Sequence, residues 1–173
     1  MDKLSLTNEL LYTTTIKFDF YNPPVNPAEL VDAMAELMCE KGGIGLSANQ
    51  CGLPWSVFII GNPENRESII PVFNPMIVSY SDEEEYAEEG CLSFPGYQLR
   101  VKRPIEIRIR MSTVDDQRDT ARFTGLTSRV VQHEMQHLRG EDFRKSARRL
   151  DRERADKKYK QWLRRQKKVK KAA

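Results

Sequence analysis

No segment limits this chain's options more than "RVVQHEMQHLRG" (residues 129–140), which holds both histidines of the 173-residue sequence. His133 and His137 stand four apart, with Glu134 directly after the first. In an α-helix, positions i and i+4 lie on one face about one turn apart, so the two imidazoles can point at a single metal ion. Glu134 falls beside that pair, close enough to reach a water on the metal and poorly placed to be a strong third ligand. Two ligands and a neighbouring general base are the layout of a metal-activated hydrolase. The bland alternative is two ordinary helix histidines, and the triplet outweighs it.

A metal held by two histidines needs a third protein ligand and an open position for water. The chain has no third histidine. Asp142, Glu153 and Asp156 lie downstream, but among basic residues, where they read as helix salt-bridge partners. Upstream, Cys91 sits in "EEGCLSFPG", an acidic, glycine-bordered turn between extended segments where a thiolate can face a site. Cys39 falls inside an amphipathic helix and reads as core, while Cys51 follows a glycine-rich loop and stays ambiguous. Three cysteines without paired spacing argue against a disulfide framework and for a reducing compartment. With no signal-peptide layout at the N-terminus and no apolar run of bilayer length, a cytoplasmic protein is expected, with no membrane association.

The pattern along the chain is mixed. "NPAELVDAMAELMCEK" (26–41) predicts a helix capped by Asn26, started by Pro27, with Glu29 placed for a capping box and Leu30, Met34, Leu37 and Met38 forming one apolar stripe. Strand-like runs follow at 55–60, in two short pieces within 69–80 interrupted by proline, and at 104–112, where apolar and charged residues alternate. "SDEEEYAEEG" (81–90) reads as a solvated loop or sheet edge. A helix is expected from Leu126 to Arg139 with Gly140 as its stop, then a last helical stretch over roughly 141–170. Short strands with helices near each end indicate an α+β fold.

Charge divides the chain. Residues 144–173 carry 15 Lys/Arg against 3 Asp/Glu, and residues 1–143 carry 13 against 22. Parts of opposite sign suggest two kinds of partner.

Three stretches then become recognisable together. "GGIGLSANQ" (42–50), "EGCLSFPG" (89–96) and "QHEMQHLRG" (132–140) resemble, in order and spacing, the three signature motifs of peptide deformylases, and "GLTSRVVQHE" (125–134) extends the third. The resemblance implies short antiparallel sheets around a central helix carrying HEMQH, in a catalytic domain over 1–143 followed by a basic C-terminal helical tail over 144–173. It implies removal of the formyl group from N-formylmethionine on nascent polypeptides. Cys91, His133 and His137 match the family's metal ligands, and Glu134 its general acid/base. Gln50 and the Leu92 backbone N–H match the donors that stabilise the tetrahedral intermediate. Gly43, Ile44, Gly45 and Val130 match positions around the substrate, the glycines letting the loop backbone approach a peptide closely. One divalent metal ion is implied, Fe(II) favoured, with Zn, Ni or Co able to substitute. A monomer is expected, with the tail reaching the ribosome or ribosomal RNA.

The chain departs from the family pattern in places. Gln136 stands where HExxH of this family usually has Asp, which removes a negative charge and is expected to leave a nearby cation, Arg103, short of a partner. Ser47 replaces the usual Ala, and "LLYTTTIKFDFYNPP" lacks the Pro-Asp-x-x-Leu-Arg-like element common near deformylase starts. Two rival readings remain: a thermolysin-like HExxH metalloprotease with Asp156 as third ligand, and a ribosome- or RNA-binding protein with a structural metal.

Overall fold

The computed structural model describes residues 3–172, with side chains to residue 167. The first helix, α1 (Pro27–Glu40), begins as its sequence dictates. The Asn26 side chain accepts from the N–H groups of Ala28 (2.9 Å) and Glu29 (3.2 Å), and Pro27 occupies the first turn. Leu30, Met34, Leu37 and Met38 are buried, and the chain leaves the helix through Gly42 at φ +64°.

Among the described residues, seven strands form two antiparallel sheets: β1 (Gly45–Ser47), β2 (Val57–Ile60), β3 (Ile70–Tyr80), β6 (Glu106–Ser112) and β7 (Arg118–Thr124) in one, in that spatial order, and β4 (Glu84–Glu89) with β5 (Leu99–Pro104) in the other. The helix α2 (Gly125–Leu138) contacts strands of both sheets, so the α+β architecture with HEMQH on a central helix is the observed one. Val131, Met135 and Leu138 of α2 pack on Ile107, Ile109 and Phe123 of the larger sheet. The opposite side of α2 is also buried, although it is polar. Most of the groups there are paired, which offsets the cost of burying them. Gln132 Nε2 donates to Pro104 O (2.8 Å) and to Ser128 Oγ (2.9 Å), and Gln136 Nε2 donates to Ser146 Oγ (2.6 Å).

Two local expectations are corrected. Residues 69–80 contain one long strand, β3, rather than two pieces broken by proline. Its β2 partners end at Phe73 and its β6 partners begin there, and Pro75 falls within a register shift between Phe73 and Met76, so neither proline interrupts a continuous ladder. Asn74 takes the bend at φ +49°, and its side chain bonds both the N–H and the C=O of Phe18. The acidic run does supply a sheet edge, as β4 of the two-stranded sheet, where Lys102 of β5 pairs with Glu84 across the ribbon. The last helix, α3 (Arg149–Ala172), starts later than the composition suggests, after a 3-10 turn over Phe143–Ser146 capped by Asp142 and an extended Ala147. Ala155 and Asp151 on its inner face are buried, with Ala155 in a cluster with Tyr97, Leu99, Val101 and Phe143.

Candidate active site

The i, i+4 pair does what helical geometry requires. His133 and His137 leave one face of α2 with ring centroids 5.0 Å apart. Cys91, from the turn between β4 and β5, comes to 3.2 Å from His137 Nε2. One donor atom from each of Cys91, His133 and His137 lies within 4.8 Å of the other two. The carboxylates considered from sequence are engaged elsewhere. Asp142 pairs with Arg144, Glu153 with Arg149, and Asp156 accepts the Tyr97 hydroxyl. Cys39 is partly buried against the α1 core, and burial pushes the Cys51 thiol up to about 12.

The three donors fit a cation. Burial works against a charged His133, yet hydrogen bonds to Cys91 and Glu89 raise its pKa to about 10, and a metal ion would take the place of that proton. Burial, aided by the charge on His133, lowers His137 to about 3 and keeps its imidazole neutral, the form that ligates metal. Softness alone does not choose among Fe, Zn, Ni and Co for one thiolate and two imidazoles.

Glu89 is the residue that sequence reasoning missed. It read as one more acid in a solvated run, yet it is buried and accepts from Arg103 Nε (2.6 Å), Arg103 Nη2 (2.8 Å) and Arg129 Nη1 (2.7 Å), and lies 3.1 Å from His133 Nδ1. A carboxylate behind a ligating histidine sets its ring orientation and tautomer. The available signal was its place as the first residue of "EGCLSFPG". The same contacts correct the expectation for Arg103, which is not short of a partner: Glu89 takes its fork and Gln136 Oε1 takes a further bond (2.7 Å). Gln136 therefore keeps the acceptor while dropping the charge.

Burial would raise the Glu89 pKa, but the Arg103 and His133 hydrogen bonds and charges overcome it and bring it down to about 2 from 4.5. A depressed carboxylate pKa adds stability that is complete above about pH 4.5 and fades as pH falls toward 2. Glu89→Gln should therefore cost about 3–5 kcal/mol at pH 7, where it strands buried guanidinium charge. The gap to the parent should narrow at pH 3, as urea unfolding at the two pH values would show.

Glu134 is buried, with Oε2 lacking any hydrogen-bond partner among the described residues, and burial raises its carboxyl pKa to about 7. Gly45 has a reason beyond room for a ligand. A Cβ there would lie 2.6 Å from Glu134 Oε1 and 2.7 Å from Val130 Cγ1, and one on Gly43 would lie 2.6 Å from Leu92 Cδ1. Gln50 is oriented from both ends. Its Oε1 accepts from Ser47 N (2.9 Å) and Ser47 Oγ (3.0 Å), and its Nε2 donates to Ser93 Oγ (3.0 Å) and approaches Cys91 Sγ (3.5 Å). Gln50, Cys91, His133 and Glu134 border one cavity of about 660 Å³, whose walls also include Gly43, Ile44, Gly45, Leu92, Leu126 and Val130. Ile44 and Leu126 are substantially exposed at 43% and 67%.

Known proteins resemble the chain in both sequence and fold. The sequence profile described as polypeptide deformylase matches residues 4–153. The chain is 40% identical over 114 residues to a peptide deformylase of Natranaerobius thermophilus, an alignment covering 66% of this chain and 72% of that one. It is 34% identical over 155 residues to peptide deformylase 1B, chloroplastic/mitochondrial, of Arabidopsis thaliana, covering 80% of this chain but 56% of that longer relative. A solved peptide deformylase from Plasmodium falciparum superposes with a TM-score of 0.83 at 28% identity, over 96% of this chain and 97% of that one.

Proposed function

The chain belongs to the polypeptide deformylase family, and we propose that it hydrolyses the N-formyl group of N-formylmethionyl peptides with one divalent metal ion held by Cys91, His133 and His137. The observation that carries this reading is the convergence of those three donors beside a buried, half-unpartnered carboxylate. A divalent ion there supplies Lewis acidity that makes water a nucleophile near neutral pH. Glu134 accepts the proton of the attacking water and returns it to the departing amine, so that formamide and water become formate and a free amino terminus. Gln50 Nε2 and the Leu92 N–H meet the oxygen on which negative charge develops. The methionine side chain occupies the cavity beside Val130 and Ile44, and the peptide backbone passes Gly43 and Gly45. Neither rival reading has support. Asp156, the ligand a thermolysin-like protease would need, is bonded to Tyr97.

Fe(II) is the proposed metal, with Zn, Ni or Co as substitutes. The test is release of formate from formyl-Met-Ala-Ser by anaerobically purified protein, with metal analysis of the same sample. Metal-loaded protein that leaves the peptide intact would refute the assignment.

We further assign the basic tail from residue 144 to contact with the ribosome or ribosomal RNA, in a monomeric cytoplasmic protein. No helix among the described residues is long and apolar enough to cross a membrane. The cations Arg152, Arg154, Lys157, Lys158, Lys160, Arg164, Arg165 and Lys167 are exposed along α3, as phosphate contacts require. Ending the chain after Leu163 keeps the packed part of the helix. It should leave formyl-peptide hydrolysis at the parental level while weakening ribosome co-sedimentation and flattening its salt dependence. Equal sedimentation of both proteins would refute the role.

A further inference from the structure

The turn that presents Cys91 is braced from two sides. On its own side, Phe94 N–H donates to Cys91 O (3.0 Å) and Tyr97 N–H donates to Phe94 O (3.0 Å), so residues 91–97 form one stiff pair of turns. The far end of that unit is held by α3. The Tyr97 hydroxyl donates to Asp156 Oδ1 (2.8 Å). Tyr159 meets Tyr97 edge-on, with centroids 5.2 Å apart, and stacks on Trp162 at 5.8 Å. The Trp162 indole lies so close over Gly96 that a Cβ there would stand 2.6 Å from Trp162 Cε2, and Gly96 adopts φ +79°. Cys91 itself packs against the cluster that holds the buried Ala155 of α3.

We propose that the inner face of α3 clamps the ligand turn, with Trp162 over Gly96 and Asp156 on Tyr97 acting as positioning residues that hold Cys91 at the metal site. This rests on Cys91 being a ligand. The physical case is one of precision. A site has to be held within about half an ångström to bind well, and Cys91 comes from a turn rather than from a regular element. Groups that orient a ligand from behind are worth about 10- to 100-fold in metal affinity. The helix assigned to an external partner would then also govern how firmly the enzyme keeps its metal.

The test uses the full chain loaded with Co(II), reading the thiolate-to-cobalt absorption band and the rate of cobalt loss to a chelator. Trp162→Ala should lose cobalt about tenfold faster with a weakened band, and Trp162→Phe should stay within about twofold of the parent. Tyr97→Phe, which removes only the hydrogen bond to Asp156, should fall between them. Phe20→Leu, in the separate cluster around α1, serves as a control for global stability. Parental band and rate in Trp162→Ala would overturn the proposal. So would equal acceleration in Phe20→Leu at a matched fall in Tm, because general loosening would then explain the effect. A parent lacking the band, or Cys91→Ser retaining it, would remove Cys91 from the ligand set and the clamp with it, a failure visible before any α3 variant is made.

Discussion

Glu134→Gln is expected to keep its metal and to lose about 100- to 10,000-fold in turnover of a formyl-peptide, the usual worth of general acid–base assistance. The amide is nearly isosteric with the carboxyl, which matters because Gly45 lies so close that even a Cβ there would stand 2.6 Å from Glu134 Oε1. It can neither accept a proton from water nor deliver one to the amine. Glu134 is not among the three converging donors, so metal content should be unchanged. Nor should the fold suffer. Burial already favours the neutral acid in the parent, raising the carboxyl to about 7, and the neutral amide avoids the cost of a buried charge. Metal analysis, kcat and thermal unfolding on one preparation separate these effects. Loss of metal would make Glu134 a ligand, and parental turnover would remove it from catalysis.

Cys91→Ser should strip the site. A coordinated cysteine binds as the thiolate, whereas a serine hydroxyl stays protonated near neutral pH and offers a hard, neutral oxygen. Removing an outer-shell partner costs about 10- to 100-fold in metal affinity, so removing a ligand should exceed the top of that range. The variant should come off dialysis with far less than one equivalent of metal and with turnover reduced in proportion. Its fold should persist, because the 91–97 turn is closed by backbone hydrogen bonds and by Tyr97, none of which uses the sulfur. If the serine variant keeps metal and activity, the third ligand is a carboxylate and the proposed site is wrong.

Wherever a property depends on one local element, the sequence was enough. The capped α1, the alternating β6 and the paired histidines of α2 each follow from backbone periodicity and end chemistry within a single segment. The motif resemblance went further and placed Cys91 with the histidines, but residue chemistry alone had left it as one candidate among several.

Tertiary packing decided the rest. Cys91 reaches His137 across 46 residues only because the β4–β5 ribbon is laid against α2, and that contact is made through Glu89, Arg103 and Arg129. Apart from its place at the start of the Cys91 motif, nothing in the acidic run marks Glu89 as the carboxylate that will be buried, since burial is set by the guanidinium groups that other strands and helices bring to it. The prolines of β3 looked like breaks because the sequence does not show which strand edge lacks a partner. The tail looked like one uniform charged helix because its composition hides Ala155, Tyr159 and Trp162, whose role depends on the glycine and tyrosine they meet in a turn 66 residues away from Trp162 in the case of Gly96. Helical spacing is a short-range consequence of hydrogen bonding within one segment. The identity of a buried partner is a long-range consequence of which surfaces exclude water together, and that depends on the whole folded chain.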